Sequence, residues 1–509
     1  MDRPAEADGA PAPLPRLLSG SVHLERRPVA EWADRVHLLR ERDGAVFVDL
    51  FAGPSEADDC GTMTMLLARP DEHDWVALRD TGVAASGYPS LTRRIPAADW
   101  YERELFASRH IVPLGHPHLA PLGLDREMTA DRILLDRPLE PADIGVVDYP
   151  LGPVRSGIVE SGHYTLRSVG EEIVDLRLQL AYKHRGIEDL ATGVAWPLLP
   201  LLAERISGTD AVANALASCI ALEALGGLVP TPRAQALRLI AAELERLHDH
   251  AAFQAELCQA TGLSVAQAQF EIVRERLLRL AARLVGHRYL FGFVVPGGVA
   301  VDLDPAALED LRRTVVEARA ALATLGSMVA GSGSHLDRLR GTGRVSLTQA
   351  ADLALTGPVA RAAGLDIDAR RDLPYGAYAA RGVAVASAEG GDAAARAAVR
   401  QAESLISADL IVDTVDHLPD GPAAVKPVRI DAAPLAATSA ALGWAEGSRG
   451  TELHWLETDG AGRVARYRIR SASFACWQVF ARSIPGSNIL TDFPIIEQSF
   501  GLSFAGADR

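Results

Sequence analysis

Three apolar stripes at helical spacing set the strongest limit on what this chain folds into. Leu237, Ile240, Leu244, Leu247 and Ala251 recur at intervals of three and four. So do Phe270, Val273, Leu277, Leu280 and Leu284, and then Leu308, Leu311, Val315, Ala318, Leu322 and Leu325. A helical repeat of about 3.6 residues puts each set on one face, and three such faces must bury one another, which predicts a helix bundle core. Asp304-Pro305 opens the third helix as N-cap and first-turn proline. The period changes to two just upstream, where Val174, Leu176, Leu178 and Leu180 alternate with Asp175, Arg177 and Gln179. With Tyr164 to Ser168 across Val169-Gly170-Glu171-Glu172 this predicts a half-buried hairpin. A second hairpin is expected from Leu453 to Thr458 and Val464 to Arg470 around Asp459-Gly460-Ala461-Gly462.

The rest of the chain divides by texture. Residues 1–18, rich in Pro, Ala and Asp without periodicity, read as a mobile leader. From 19 to 124 a helix-like stretch at Trp32 to Arg42, apolar strands at Ala45 to Phe51 and Thr62 to Leu67, and proline-punctuated loops predict a small α/β domain. A charged, proline-containing linker is expected over 125–148, and a large domain over 149–509. The fold class is therefore α+β, a small N-terminal α/β domain followed by a large one with a central helix bundle and peripheral β hairpins.

Composition narrows the function classes. The 509 residues carry a formal net charge of −15, and 48% are hydrophobic, enough for a large core and the wrong balance for a nucleic-acid footprint. Lys183 and Lys426 are the only lysines, a bias to which no functional weight attaches. Cys60, Cys219, Cys258 and Cys476 form no CxxC pair, so a cysteine-held cluster in this chain is not expected. The longest apolar stretch, Ala211 to Val229, is interrupted by Asn214 and Glu223 and falls short of the roughly 20 clean apolar residues of a membrane span. The N-terminus lacks a basic region followed by an apolar one, so the expected location is cytoplasmic.

Single motifs are weak. Gly341-Thr342-Gly343 and Pro296-Gly297-Gly298 lack the strand, glycine pattern and helix of a dinucleotide site and read as turns. His248 and His250 follow Glu243 and Arg246 in an order that is not a zinc-protease pattern, and the polar stripe suggests a buried ion-pair network or an interface. Glu188, in Lys183-His184-Arg185-Gly186-Ile187-Glu188, together with Arg205 and Asp210, offers carboxylates able to carry protons, because coupled buried acids shift into the working range.

As a set, these residues are identifiable. Arg185-Gly186-Ile187-Glu188, Arg205-Ile206-Ser207-Gly208 and the stretch from Asp492-Phe493-Pro494-Ile495-Ile496 to Arg509 resemble the large subunit of group 4 membrane-bound nickel–iron hydrogenases, formate hydrogenlyase included, whose close relative is the 49-kDa-type subunit of respiratory complex I. Glu243-Leu244-Glu245-Arg246, Gly357-Pro358-Val359-Ala360-Arg361 and Arg371-Asp372-Leu373-Pro374-Tyr375 sit between them in the family's order. Upstream, Pro89-Ser90-Leu91-Thr92, Trp100 to Phe106 and Gly115-His116-Pro117 resemble the 30-kDa-type subunit of complex I, a fusion typical of hydrogenlyase large subunits.

The departures carry the chemistry. The resemblance sets two cysteine pairs, nickel's four thiolates, against Ser207 and Asp210, and against Ser503 and Gly506. Hydroxyls are hard, weakly acidic donors and glycine has no side chain, so nickel–iron chemistry is not expected. The quinone-binding histidine and tyrosine of complex I fall at Arg155 and Gly208, which preserve neither side chain. The resemblance gives Glu188 the role of passing protons and places Arg205 near a partner's iron–sulfur cluster. Ser207, Arg155 and Ser503 would line the vacated cavity, with His163 and His184 nearer its mouth. No cofactor is expected in this chain, except that a quinone could enter the vacated cavity. The expected partners are an iron–sulfur small subunit and hydrophobic antiporter-type membrane subunits, with the chain held peripherally on the inner face of the membrane. The expected function is transfer of electrons from the partner cluster to a quinone or other small acceptor with coupled proton transfer; the alternative is a structural, coupling subunit.

Overall fold

The computed structural model describes residues 16–53, 60–84, 86–120, 122, 145–155, 160–424 and 432–509. Most of the expected leader and linker, and Lys426, therefore lie outside the described residues.

The N-terminal domain is a four-stranded sheet under two helices. Strands β2 (Val22–Arg26), β3 (Val46–Ala52), β4 (Cys60–Arg69) and β5 (Asp74–Ala84) lie in the order β2-β5-β4-β3, with β2 parallel to β5 and the other pairs antiparallel. Side chains on a strand alternate between faces, and here both faces are apolar. Phe47, Leu50, Met65 and Leu67 pack towards helices α1 (Trp32–Asp43) and α2 (Asp99–Arg109), with the Phe47 and Tyr101 rings 5.2 Å apart. Val48, Phe51, Leu66 and Trp75 face the large domain instead, and Trp75 meets Trp444 at 5.2 Å. A sheet covered on both sides explains why Val46 to Ala52 is a nearly continuous apolar run.

In the large domain, β6 (Val146–Leu151), β7 (His163–Val169) and β8 (Glu172–Gln179) form an antiparallel sheet whose β7–β8 pair is the expected hairpin. The short helix α3 (Ile187–Thr192) follows, then α4 (Ala211–Gly226). The three stripes occupy α5 (Pro232–Ala260), α6 (Ser264–Val285) and α7 (Pro305–Ala330), and Asp304 accepts from Ala307 N at 2.8 Å as its cap. A fourth long helix, α8 (Ala393–Asp416), completes the bundle. Strands β9 (Ser439–Glu446), β10 (Thr451–Thr458) and β11 (Val464–Arg470) form the second hairpin sheet, followed by helices α9 (Ala472–Ser483) and α10 (Phe504–Asp508).

Two expectations change at the junctions. Strand β1 (Arg16–Leu17), inside the expected leader, pairs in parallel with Ser439 and Ala440 of β9, so the chain is tied down by Arg16. Strand β6 opens at Val146, inside the expected linker, so the large domain starts before 149. Pro296-Gly297 is a turn, as expected, between the two-residue strands Val294–Val295 and Gly298–Val299.

Candidate functional site

The loop Arg205 to Asp210 enters α4, and the C-terminal segment folds back so that Ser503 caps α10, accepting from Gly506 N at 2.9 Å. These two approaches bring Ser207 and Ser503 together, Oγ to Oγ at 3.3 Å. Glu160 closes on the pair. Its carboxylate lies 3.0 Å from Ser503 Oγ through either oxygen and accepts from Ala505 N at 2.9 Å. Ser207 continues to Thr209 Oγ1 at 3.0 Å, and Thr209 to Asp210 Oδ2 at 3.4 Å.

Asp210 is buried at the N-terminus of α4. Ser448 Oγ donates to it at 3.3 Å and Arg449 Nη1 at 3.4 Å, both from the turn between β9 and β10. The same two residues hold Asp249 of α5 at 2.6 and 3.2 Å. Their environments push these neighbouring acids apart. Burial, reinforced by the charge on Asp249, lifts the Asp210 carboxyl above its ordinary value even though Arg449 pulls the other way. Asp249 is held near about 2 because Arg449 and Arg400 outweigh its burial. Two more acids ring the site. Glu245 accepts from Val212 N and Ala213 N at 2.7 and 3.1 Å, and burial with the nearby Asp210 raises it well above the carboxylate range. Glu452 on β10 is lifted to about 8 by burial and by Asp210. The site is therefore a closed, oxygen-rich interior in which burial raises several acids, and its donors do not fit a thiolate-bound nickel–iron centre. Buried Cys219, Cys258 and Cys476, their thiols raised by burial, stand outside it.

The remaining sequence candidates lie elsewhere. Glu188, on α3, is 27% exposed and accepts from Ile469 N at 2.8 Å, with Arg509 at 3.4 Å and Arg468 at 3.6 Å. It lines a separate cavity of about 390 Å³ between the two domains, walled also by Glu104, His184, Arg466, Arg468 and Arg509. There Arg468 and Arg509 hold Glu104 at about 2 against its burial. His184 bonds the Asp508 carbonyl at 2.8 Å, while burial lifts the Asp508 carboxyl to about 6 despite bonds from Ala181 N and Lys183 N. Arg205 turns outward, 51% exposed, pairing with Glu204 and stacking 4.3 Å over the Phe291 ring, which in turn stacks on His287. Arg155 forms a two-pronged pair with Glu497 at 2.8 and 2.5 Å and lies over Tyr164. Gly208 is exposed and presents no side chain to a headgroup. The structure thus joins Ser207, Asp210 and Ser503 in one site and gives Glu188, Arg205 and Arg155 three other settings. Glu160, Ser448, Arg449, Asp249, Glu245 and Glu452 were not among the sequence candidates. Glu160, Ser448, Arg449 and Glu452 come from loops, a turn and a strand with no shared spacing, and Glu245 and Asp249, four apart on α5, meet them only in three dimensions.

Comparison with known proteins fits this architecture. Residues 28–140 match the model of the 30-kDa subunit of respiratory-chain NADH dehydrogenase, and 262–440 that of its 49-kDa subunit. Formate hydrogenlyase subunit 5 of Escherichia coli K12 is 30% identical over 457 residues, covering 86% of this chain and 79% of that protein. The chain belongs to this family. The carbon monoxide-induced hydrogenase of Rhodospirillum rubrum is 30% identical over 367 residues, covering 71% of this chain and 98% of the relative. Among solved structures, a chain of the membrane-bound sulfane sulfur reductase, an archaeal respiratory membrane complex, superposes with a TM-score of 0.68 at 25% identity, over 73% of this family member and 100% of that chain. Among the described residues, no helix is long and apolar enough to cross a membrane.

Proposed function

We propose that the chain is a peripheral-arm subunit of a membrane oxidoreductase, docked on an iron–sulfur partner through the Arg205 face, and that it contributes proton handling and no nickel chemistry. The observation that carries this reading is the Ser207–Ser503 contact with Glu160 drawn onto it. Where the resemblance puts soft thiolates, hard oxygens hydrogen-bond to one another and raised acids surround them. A quinone or other small acceptor, receiving electrons from the partner's cluster, fits the 390 Å³ cavity beside Glu188 better than the closed serine site. Antiporter-type membrane subunits beneath the arm complete the reading.

A second reading, a non-catalytic coupling subunit, is favoured by the same closed contact, which leaves the vacated positions occupied by protein. One preparation separates the two. The assembly purified with its partners is analysed for metals and for hydrogen-dependent and quinone-dependent dye reduction. Iron without nickel, with quinone-dependent turnover that falls by about a hundredfold in Glu188→Gln, supports the first reading. Glutamine still accepts the Ile469 N–H, so the variant keeps that backbone anchor while removing the charge that faces Arg468 and Arg509. Iron with no turnover on any acceptor supports the coupling role, and stoichiometric nickel with hydrogen uptake overturns both.

A further inference from the structure

The 390 Å³ cavity beside Glu188 is built from both domains. Strand β3 and helix α2 supply Phe51, Leu105 and Arg109, and the large domain supplies Leu180, Arg466 and Phe474. Its charges are unevenly settled. Glu104 and Glu188 are both held by Arg468 and Arg509, and Arg468 also carries Asp49. Asp508 takes the N–H groups of Ala181 and Lys183. Arg466, buried on β11, has no such match. Its Nη2 donates to the Ala52 carbonyl, while Nη1 is buried with no hydrogen-bond partner. The carboxylate beside it, Glu457 at 3.8 Å, is already bound by Arg79 at 2.7 and 3.2 Å and by Trp455 Nε1 at 2.7 Å. Burial, joined by the charges on Arg79, Arg109 and Arg468, brings Arg466 down to about 10 against the pull of Glu457.

A buried cation with cations for neighbours calls for a counter-charge, and a carboxylate or oxyanion in the adjoining space supplies it. Away from bulk water the attraction of Arg466 and Arg109 for such a group is little screened. Next to Arg468 and Arg509 the same anion would meet Glu104 and Glu188, so the charge is directed towards Arg466. Much of the remaining wall is apolar or aromatic. The Arg466 guanidinium lies 4.4 Å over the Phe51 ring and that of Arg509 lies 5.0 Å over Phe474, planar surfaces against which a flat body stacks. We propose that the Arg466 side of this cavity binds the anionic group of a small molecule whose planar, apolar body lies against the aromatic wall. This rests on the reading that the cavity receives a small acceptor, and it gives that molecule's chemical class.

The test needs no electron donor or acceptor. Two probes of nearly equal shape, 4-fluorobenzoate and its neutral counterpart 4-fluorobenzamide, are titrated into the purified assembly and followed by the broadening of their fluorine resonances. The carboxylate is expected to bind about tenfold more tightly than the amide, and Arg466→Met to abolish that preference. Ala465, exposed on the cavity wall, gives a second variant that leaves every charge in place. Ala465→Trp fills the space and is expected to weaken both probes by about tenfold. The parent comparison and Ala465→Trp leave the Arg466 bond to Ala52 untouched, so the result stands even where Arg466→Met unfolds. Equal affinity for acid and amide in the parent overturns the proposal, as does no binding of either, or a preference for the acid that survives in Arg466→Met or in Ala465→Trp. Carboxylate binding without quinone-dependent turnover leaves the anion site standing and removes the redox reading. Turnover sensitive to Glu188→Gln without carboxylate binding does the reverse.

Discussion

At the scale of single residues, the interior of the bundle is governed by ion pairs. Glu403 on α8 accepts from Arg361 Nε at 2.8 Å and bonds His250 Nε2 at 2.9 Å, while Arg370 binds Glu243 at 3.0 Å and Asp368 at 2.6 Å. The polar stripe Glu243, Arg246 and His250 announced such a network at helical spacing, but its partners come from segments with no shared motif. Burial, with Arg400 and Arg246 near, holds His250 at about 4 although Glu403 pulls it up. Burial also brings His248 to about 4. A histidine whose folded pKa is depressed stabilises fully above its unfolded value near 6.5, and that stability is lost as pH falls towards 4, because the unfolded chain takes up the proton first. Each such histidine contributes up to about 3 kcal/mol across this window. Glu452 at about 8 and Asp508 at about 6 work with the opposite sign, losing stability as pH rises through those values. A difference measurement isolates the histidine. In denaturant titrations of the assembly at pH 7 and 4.5, His250→Gln, which still donates to Glu403, should lose less stability on acidification than the parent, by about 2 kcal/mol. Parallel losses would show that His250 is not held neutral.

At the scale of elements, the sequence spoke clearly where burial is one-sided. Helices α6 and α7 each hide one face and show the other, so a period of 3.6 survives in the residue order. Helix α5, by contrast, is buried on every side from Ala236 to Ala255 and keeps a readable apolar stripe only because its other faces carry polar residues, and β8 is buried on both faces from Leu176 onward. Helix α8 went unread because its inward face carries Arg396, Arg400, Glu403, Ser404 and Ser407, which blur the apolar stripe. The alanine-rich stretch from Ala211 also gains its reason from packing. Ala213, Ala217 and Ala221 lie along one side of α4, and a Cβ on Gly443 of β9 would stand 1.9 Å from Ala217 O and 2.8 Å from Ala221 N. Helix and strand touch backbone to backbone, which only small residues allow. Gly443→Ala should therefore force α4 off the sheet and lower stability by about 3 kcal/mol, and because α4 carries Asp210 at its start, it should also disturb the serine site. Thermal melts of the assembly check the first effect. A melting temperature equal to the parent's would mean that the contact relaxes without cost.

At the scale of the whole molecule, the two sequence domains are one folded body. Apolar residues of both share the same core clusters, β1 joins the distant β9, and charges cross the seam. Arg468 on β11 is the central crossing group, donating to Asp49 at 2.9 and 3.1 Å and to Glu104 at 3.0 and 3.2 Å. None of this was legible as a boundary in composition, because a sheet with two buried faces looks in sequence like any apolar run, and its second partner lies some four hundred residues downstream. Truncating the arginine leaves Asp49 as a buried charge without its partner, a loss on the order of 3–5 kcal/mol, while removing both charges together avoids most of that penalty. Denaturant unfolding of Arg468→Met, Asp49→Asn and their combination in the purified assembly should therefore be strongly non-additive, the double variant being more stable than Arg468→Met alone. Losses that merely add would mean that the seam is held by its apolar contacts and that the ion pair is incidental. The non-additive result would instead tie the N-terminal domain rigidly to the strand that forms the wall of the Glu188 cavity. That tie makes the N-terminal domain part of the cavity's architecture, with Glu104 and Glu188 answering to the same two guanidiniums from opposite sides of the seam.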